Sequence, residues 1–135
     1  MKNSEEDARR WLRQAENDLA AARLMLREGF HSQVCFMSHQ VAEKTIKALA
    51  YYRGDRYVIG HSISEFVTDL KSSYPQLSGH LKLAKTLDRY YVPTRYPDAL
   101  PGGVPFEVYD DRDDAVEAAE GAEAMMATVL KIIEG

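Results

Sequence analysis

From Asn3 or Ser4 to Arg27, apolar residues recur at steps of three and four: Ala8, Trp11, Leu12, Ala15, Leu19, Ala22 and Leu26. This is the period of one helical face, so the segment predicts a long amphipathic helix. Ser4 with Asp7 suits a loose N-cap, and Gly29 supplies the left-handed residue that stops a helix. A second helix is expected to begin near Phe30 to Ser32 and to run to Arg53. Its inward stripe is Val34, Met37, Val41, Ile46, Ala48, Leu49 and Tyr52, and its stop is Gly54. The link is a few residues long, so the two helices form an antiparallel hairpin. The second helix also carries Cys35, Phe36, Ala42, Ala50 and Tyr51 off the stripe, more apolar surface than one face of a surface helix needs. It is therefore central in the bundle or lies at an interface.

After an irregular link, Ser62 and Glu65 have the spacing of a capping box, and Ile63, Phe66, Val67 and Leu70 follow as a shorter third helix. Leu77, Leu81, Ala84, Leu87 and Tyr91 predict a fourth, ended near Tyr91 by Pro93. Residues 92–110 hold four of the five prolines and read as a long irregular loop, a kind of segment that is usually functional or mobile. A last helix is expected from about Asp111 to Glu134, with an acidic first turn suited to the helix dipole and Ala115, Ala119, Ala122, Met126, Val129 and Ile133 inward. No segment reads as a strand. The fold class is all-α, an antiparallel up-and-down bundle of four to five helices in a single domain over residues 1–135. Trp11, Leu19, Val41, Leu49, Phe66, Leu87 and Val129 are expected in its core.

Composition narrows the function. The 45% hydrophobic content excludes a disordered chain, and the single Cys35 excludes an intrachain disulfide or a multi-thiolate zinc site. The N-terminus lacks the apolar run of a signal peptide and no segment approaches a membrane span, so a soluble cytoplasmic protein is expected. The net charge of −4 is uneven: +1 over residues 1–27, +3 over 28–96 and −8 over 97–135. The acidic last quarter argues against general coating of nucleic acid, while a local anion site in the middle remains open.

On the second helix, Gln40, Glu43, Lys44 and Lys47 make one polar strip. It is either a solvated face with local i, i+4 neighbours or a place where two ammonium groups meet an anion. His61 precedes the Ser62 cap, where unpaired backbone N–H groups favour phosphate. Arg95, in Arg95-Tyr96-Pro97, offers a planar fork for phosphate or carboxylate, and Tyr96 can stack on a base. Together Lys44, Lys47, His61, Arg95 and Tyr96 form the candidate ligand site. His31 and His39 are too far apart for an i, i+4 metal pair and His80 has no companion, so neither metal nor cofactor is expected. No glycine-rich phosphate loop, nucleophile elbow or HExxH element is present.

Four stretches carry a resemblance: Ala15-Glu16-Asn17-Asp18-Leu19-Ala20-Ala21-Ala22; Gln40-Val41-Ala42-Glu43-Lys44-Thr45-Ile46-Lys47-Ala48-Leu49; His61-Ser62-Ile63; and Arg95-Tyr96-Pro97. Spanning nearly the whole chain, this pattern resembles the HEPN family (higher eukaryotes and prokaryotes nucleotide-binding domain). The resemblance implies a helical bundle that commonly dimerises, often sits beside a minimal nucleotidyltransferase and takes part in nucleotide or RNA transactions. Here the dimer is expected through the surplus apolar surface of the second helix and through Ala118, Ala124, Met125 and Ile132 of the last. Many members are ribonucleases with an Arg followed after four to six residues by a His on a late helix. In this sequence no His follows His80, and Arg56 with His61 alone meets the spacing, in the link after the second helix. The expectation is a non-catalytic, nucleotide-binding, dimeric module with a nucleotidyltransferase partner. The alternative is a toxin-like, metal-independent ribonuclease with His61 as general base and Arg56 stabilising the phosphorane charge.

Overall fold

The computed structural model describes residues 3–135. Helix α1 (Ser4–Arg27) and helix α2 (His31–Arg53) form the expected hairpin. They are followed by α3 (Ile63–Leu70), a 3₁₀ stretch (Pro75–His80) and α4 (Leu81–Asp88). Another 3₁₀ turn (Pro97–Ala99), the one-turn helix α5 (Pro105–Val108) and α6 (Arg112–Glu134) complete the chain. Among the described residues there is no strand.

The turns follow the local chemistry. Gly29 and Gly54 adopt φ of 83° and 107°, the left-handed region open to glycine, as α1 and α2 end. The first helix is capped by Asn3, whose side chain accepts from the Glu6 N–H, so the Ser4 and Asp7 cap is corrected by one residue. Asp111 caps α6 by accepting from the N–H groups of Asp113 and Asp114. The fourth helix is shorter than its apolar pattern, because residues 75–80 take the tighter 3₁₀ winding behind Pro75 and α4 stops at Asp88 rather than near Tyr91. The span 92–110 contains two short helical turns, each opened by a proline at its first position.

Helix α2 is the axis of the bundle and packs against α1, α6, α3, α4 and α5. Of the surplus apolar positions, Cys35, Ala42 and Ala50 are no more than 2% exposed, so packing within the chain consumes them, while Phe36 and Tyr51 are half-buried. A helix apolar on all sides is a buried helix. In the last helix, Ala118 and Met125 are also internal, Ile132 is half-buried and Ala124 is exposed. Of the anticipated core, Leu19, Val41, Leu49, Leu87 and Val129 are buried, while Trp11 and Phe66 pack on its edge. Gly121 lets Leu83 of α4 settle against α6 where any Cβ would collide with it. No helix among the described residues is long and apolar enough to cross a membrane.

Candidate functional site

The polar strip of α2 does not face solvent. Glu43 and Lys47 are one turn apart and both nearly buried, with Lys47 Nζ 3.2 Å from Glu43 Oε2. The Lys47 ammonium lies 5.7 Å from the Trp11 ring centroid and 5.9 Å from that of Phe66, a cation enclosed by aromatic faces. The other carboxylate oxygen, Glu43 Oε1, accepts from His61 Nδ1 at 3.1 Å. A carboxylate can only accept, so Nδ1 is the donor and Nε2 is the ring nitrogen left without a partner from Glu43.

Three contacts thus orient His61. Besides the Glu43 bond, its carbonyl oxygen accepts from Nε2 of the wholly buried His39 at 3.0 Å. Its ring stacks on Tyr91 with centroids 4.6 Å apart and planes 20° from parallel. The His61 side chain nevertheless remains 56% exposed, so it is held from beneath and open above. Burial lowers the affinity of His39 for a proton, against the opposing pull of Glu43, the His61 carbonyl and Asp88.

The N-terminus of α3, expected to be free for phosphate, is already filled. Asp88, at the end of α4, accepts from the N–H groups of Ile63 (2.7 Å) and Ser64 (3.1 Å) and from the hydroxyls of Ser62 and Ser64. Ser62 itself caps Glu65, as its spacing predicts. An internal carboxylate therefore takes the place an external anion would occupy.

The turn after α4 brings Arg95 to the same face. Ser32 donates to the Thr94 carbonyl oxygen at 2.7 Å, and Thr94 is buried, which ties this turn to the start of α2. Arg95 Nε donates to the Tyr91 carbonyl oxygen at 2.8 Å. Its guanidinium carbon lies 4.3 Å from the Phe36 ring centroid and 4.9 Å from those of Tyr91 and Tyr96. The two terminal amino groups of Arg95 have no acceptor among the described residues, so the planar fork is held by rings and left free to bind.

The structure thus gathers His61 and Arg95 around Tyr91, with the Tyr96 ring against Arg95. It does not bring the two lysines with them. Lys47 is sealed behind Glu43, and Lys44 turns toward α1 and pairs with Asp18. This corrects the expectation that both ammonium heads share one anion with the imidazole: adjacent α2 positions diverge by about 100° around the axis, so Glu43 and Lys44 face different neighbours. Arg56 stands exposed in the link before His61. Among the described residues no group of three His, Cys, Asp or Glu could hold a metal. Tyr91, Phe36, His39 and Asp88 were not anticipated as site residues. His39 and Glu43, four positions apart on α2 and so on one side of it, were the available sequence signal for a buried polar pair.

The helices and this cation and aromatic cluster define a small all-α domain, and its sequence agrees with a known one. The HEPN domain model matches residues 8–133, and the chain belongs to that family. Its fold is similar to that of TT1696 from Thermus thermophilus (39% identity, TM-score 0.85, covering 92% of this chain and 96% of that one). It is also similar to ST0689, an archaeal HEPN homologue, at 36% identity and TM-score 0.75 over 98% and 99% of the two chains. In sequence, the protein of Methanocaldococcus jannaschii named Putative toxin MJ1304 is 25% identical over 135 residues, 94% of this chain and 88% of the relative.

Proposed function

We propose that this HEPN domain is a non-catalytic module that binds a nucleotide or another phosphate-bearing ligand on the His61, Tyr91, Arg95 and Tyr96 face. In this reading it acts in the cytoplasm as a homodimer and partners a minimal nucleotidyltransferase. The observation that carries the ligand is the Arg95 guanidinium, fixed against three rings with its terminal amino groups unclaimed. A bidentate fork suits a phosphoryl group, and the half-exposed Tyr96 ring offers a face for a base. Calorimetric titration with nucleoside triphosphates tests it. Binding should weaken as salt rises, and Arg95→Ala should lower affinity at least about tenfold, as expected for a charged hydrogen bond. Arg95→Lys should not restore it, because an ammonium lacks the planar fork. Unchanged affinity in Arg95→Ala and Tyr96→Ala would sink the assignment. Sedimentation equilibrium tests the dimer, and a strict monomer at micromolar concentration would count against it.

A second reading, a metal-independent ribonuclease, draws on one geometric feature. His61 is backed by a buried carboxylate and exposes Nε2, the arrangement of a positioned general base. It would take the proton of a ribose 2′-hydroxyl while Arg56 or Arg95 balanced the charge on phosphorus. The toxin name of the archaeal relative agrees with this reading. Purified protein that leaves single-stranded RNA intact supports the binding module. Cleavage abolished by His61→Ala, and by one of the two arginine variants, would replace it with the nuclease.

A further inference from the structure

A concave surface runs along α1 where it meets α2. It is an open groove of about 760 Å³ lined by Arg10, Trp11, Arg13, Gln14, Asn17 and Lys44. Three of the six are cations and none is a carboxylate, in a chain of net charge −4. Their charges are not equally available. Lys44 pairs with Asp18, and Arg10 lies 3.9 Å from the Asp7 carboxylate. Gln14 donates to Asp18 at 3.0 Å. Arg13 and Asn17 have no side-chain partner among the described residues, so a guanidinium and an amide stand open beside two partly neutralised cations.

We infer that this groove binds a short phosphate chain, recognised by charge and hydrogen bonding rather than by a base. The Trp11 ring already stacks on Tyr51, with centroids 5.5 Å apart, and carries the Lys47 ammonium, so its π contacts are made inside the protein. The groove therefore provides phosphate donors without a stacking platform. Its length is limited as well. Arg10 and Arg13 also border an adjoining hollow whose wall includes Glu5, Glu6 and Arg9, and Arg9 is paired with Glu5 at 3.0 Å. That hollow adds no unpaired cation and places the Glu6 carboxylate in the path of a longer polyanion, so an oligophosphate or the triphosphate tail of a nucleotide fits better than a long strand. This site uses none of the residues of the His61 face.

Calorimetric titration of the full chain with inorganic tripolyphosphate at low ionic strength tests the groove. With Arg95→Ala removing the phosphoryl-binding fork of the other face, the chain should still bind below millimolar concentration, and adding Arg13→Ala should weaken that binding at least about tenfold. Arg10 and Arg13 are exposed, so both alanine variants should fold, as circular dichroism will report. In the Arg95→Ala background, ATP and tripolyphosphate should bind within about threefold of each other, because the groove makes no base contact. The assignment is overturned by absent binding, by an unchanged Arg13→Ala variant, or by loss of binding in Arg95→Ala, which would move the ligand to the other face. It is also overturned if a single-stranded RNA oligonucleotide displaces tripolyphosphate from the Arg95→Ala protein at lower concentration, since the groove would then follow an extended strand.

Discussion

Replacing Glu43 by alanine should be the most damaging single substitution in the polar network. Its carboxylate is 7% exposed and bonds both Lys47, itself 8% exposed, and His61. Alanine would leave an ammonium buried between Trp11 and Phe66 with no counter-charge. Removing one partner of a buried ion pair costs about 3–5 kcal/mol, because the remaining charge has lost its water without compensation. The two rings offset part of this, by up to about 2 kcal/mol for a desolvated cation over an aromatic face. The net loss should be about 2–4 kcal/mol, a large share of the roughly 5–15 kcal/mol that keeps a domain folded. In a domain of this size each kcal/mol moves the melting point by about 3–5 °C, so the midpoint should fall by roughly 10 °C. Urea unfolding followed by circular dichroism measures the free energy directly. The double variant Glu43→Gln with Lys47→Met removes both charges and keeps the volume, so most of the stability should return. If Glu43→Ala cost less than about 1 kcal/mol, or the double variant were as unstable as the single, the pair would not be a buried anchor of the fold.

Asp88→Ala removes the acceptor of four hydrogen bonds at the start of α3 and should cost about 2 kcal/mol, with faster amide exchange confined first to α3 and the link before it. His39 is held neutral by burial, so its folded pKa lies below its unfolded value of 6.5. The unfolded chain then binds more protons below that pH, and stability should fall as pH drops through 6.5. His39→Gln should flatten the fall between pH 7 and about 5, above the range where most carboxylates titrate, and an unchanged slope would place its origin elsewhere. The Cys35 thiol is pushed up to about 12, chiefly by burial and secondarily by Asp114 and Asp111. It should resist thiol reagents at about pH 8 until the chain unfolds, and rapid labelling of the native protein would contradict its burial.

Much of the fold is written in local pattern. The three long helices begin and end within a residue or two of the bounds that their apolar stripes, caps and glycine stops predict, because a 3.6-residue period and a left-handed turn are properties of a few consecutive residues. The family could be read for the same reason, since its signature lies in contiguous runs such as Gln40 to Leu49. Local pattern misled where the apolar period outlasted the helix: Leu77 and Tyr91 both face the protein, yet they lie in a 3₁₀ stretch and a turn on either side of α4.

The site depended on distance in space. His61 and Arg95 were visible as residues able to meet phosphate, but what orients them comes from elsewhere in the chain: Glu43 from 18 positions away, and Tyr91 from the turn after α4. Asp88 reaches the start of α3 from 24 to 26 positions away and fills an anion site that looked vacant in the sequence. Lys44 and Lys47, equivalent as letters three apart, were separated by the bundle, which buried one behind Glu43 and turned the other toward α1. A sequence displays which side chains can carry charge or donate a bond. Which of those bonds are already used within the protein, and which remain for a ligand, was settled only when the helices packed.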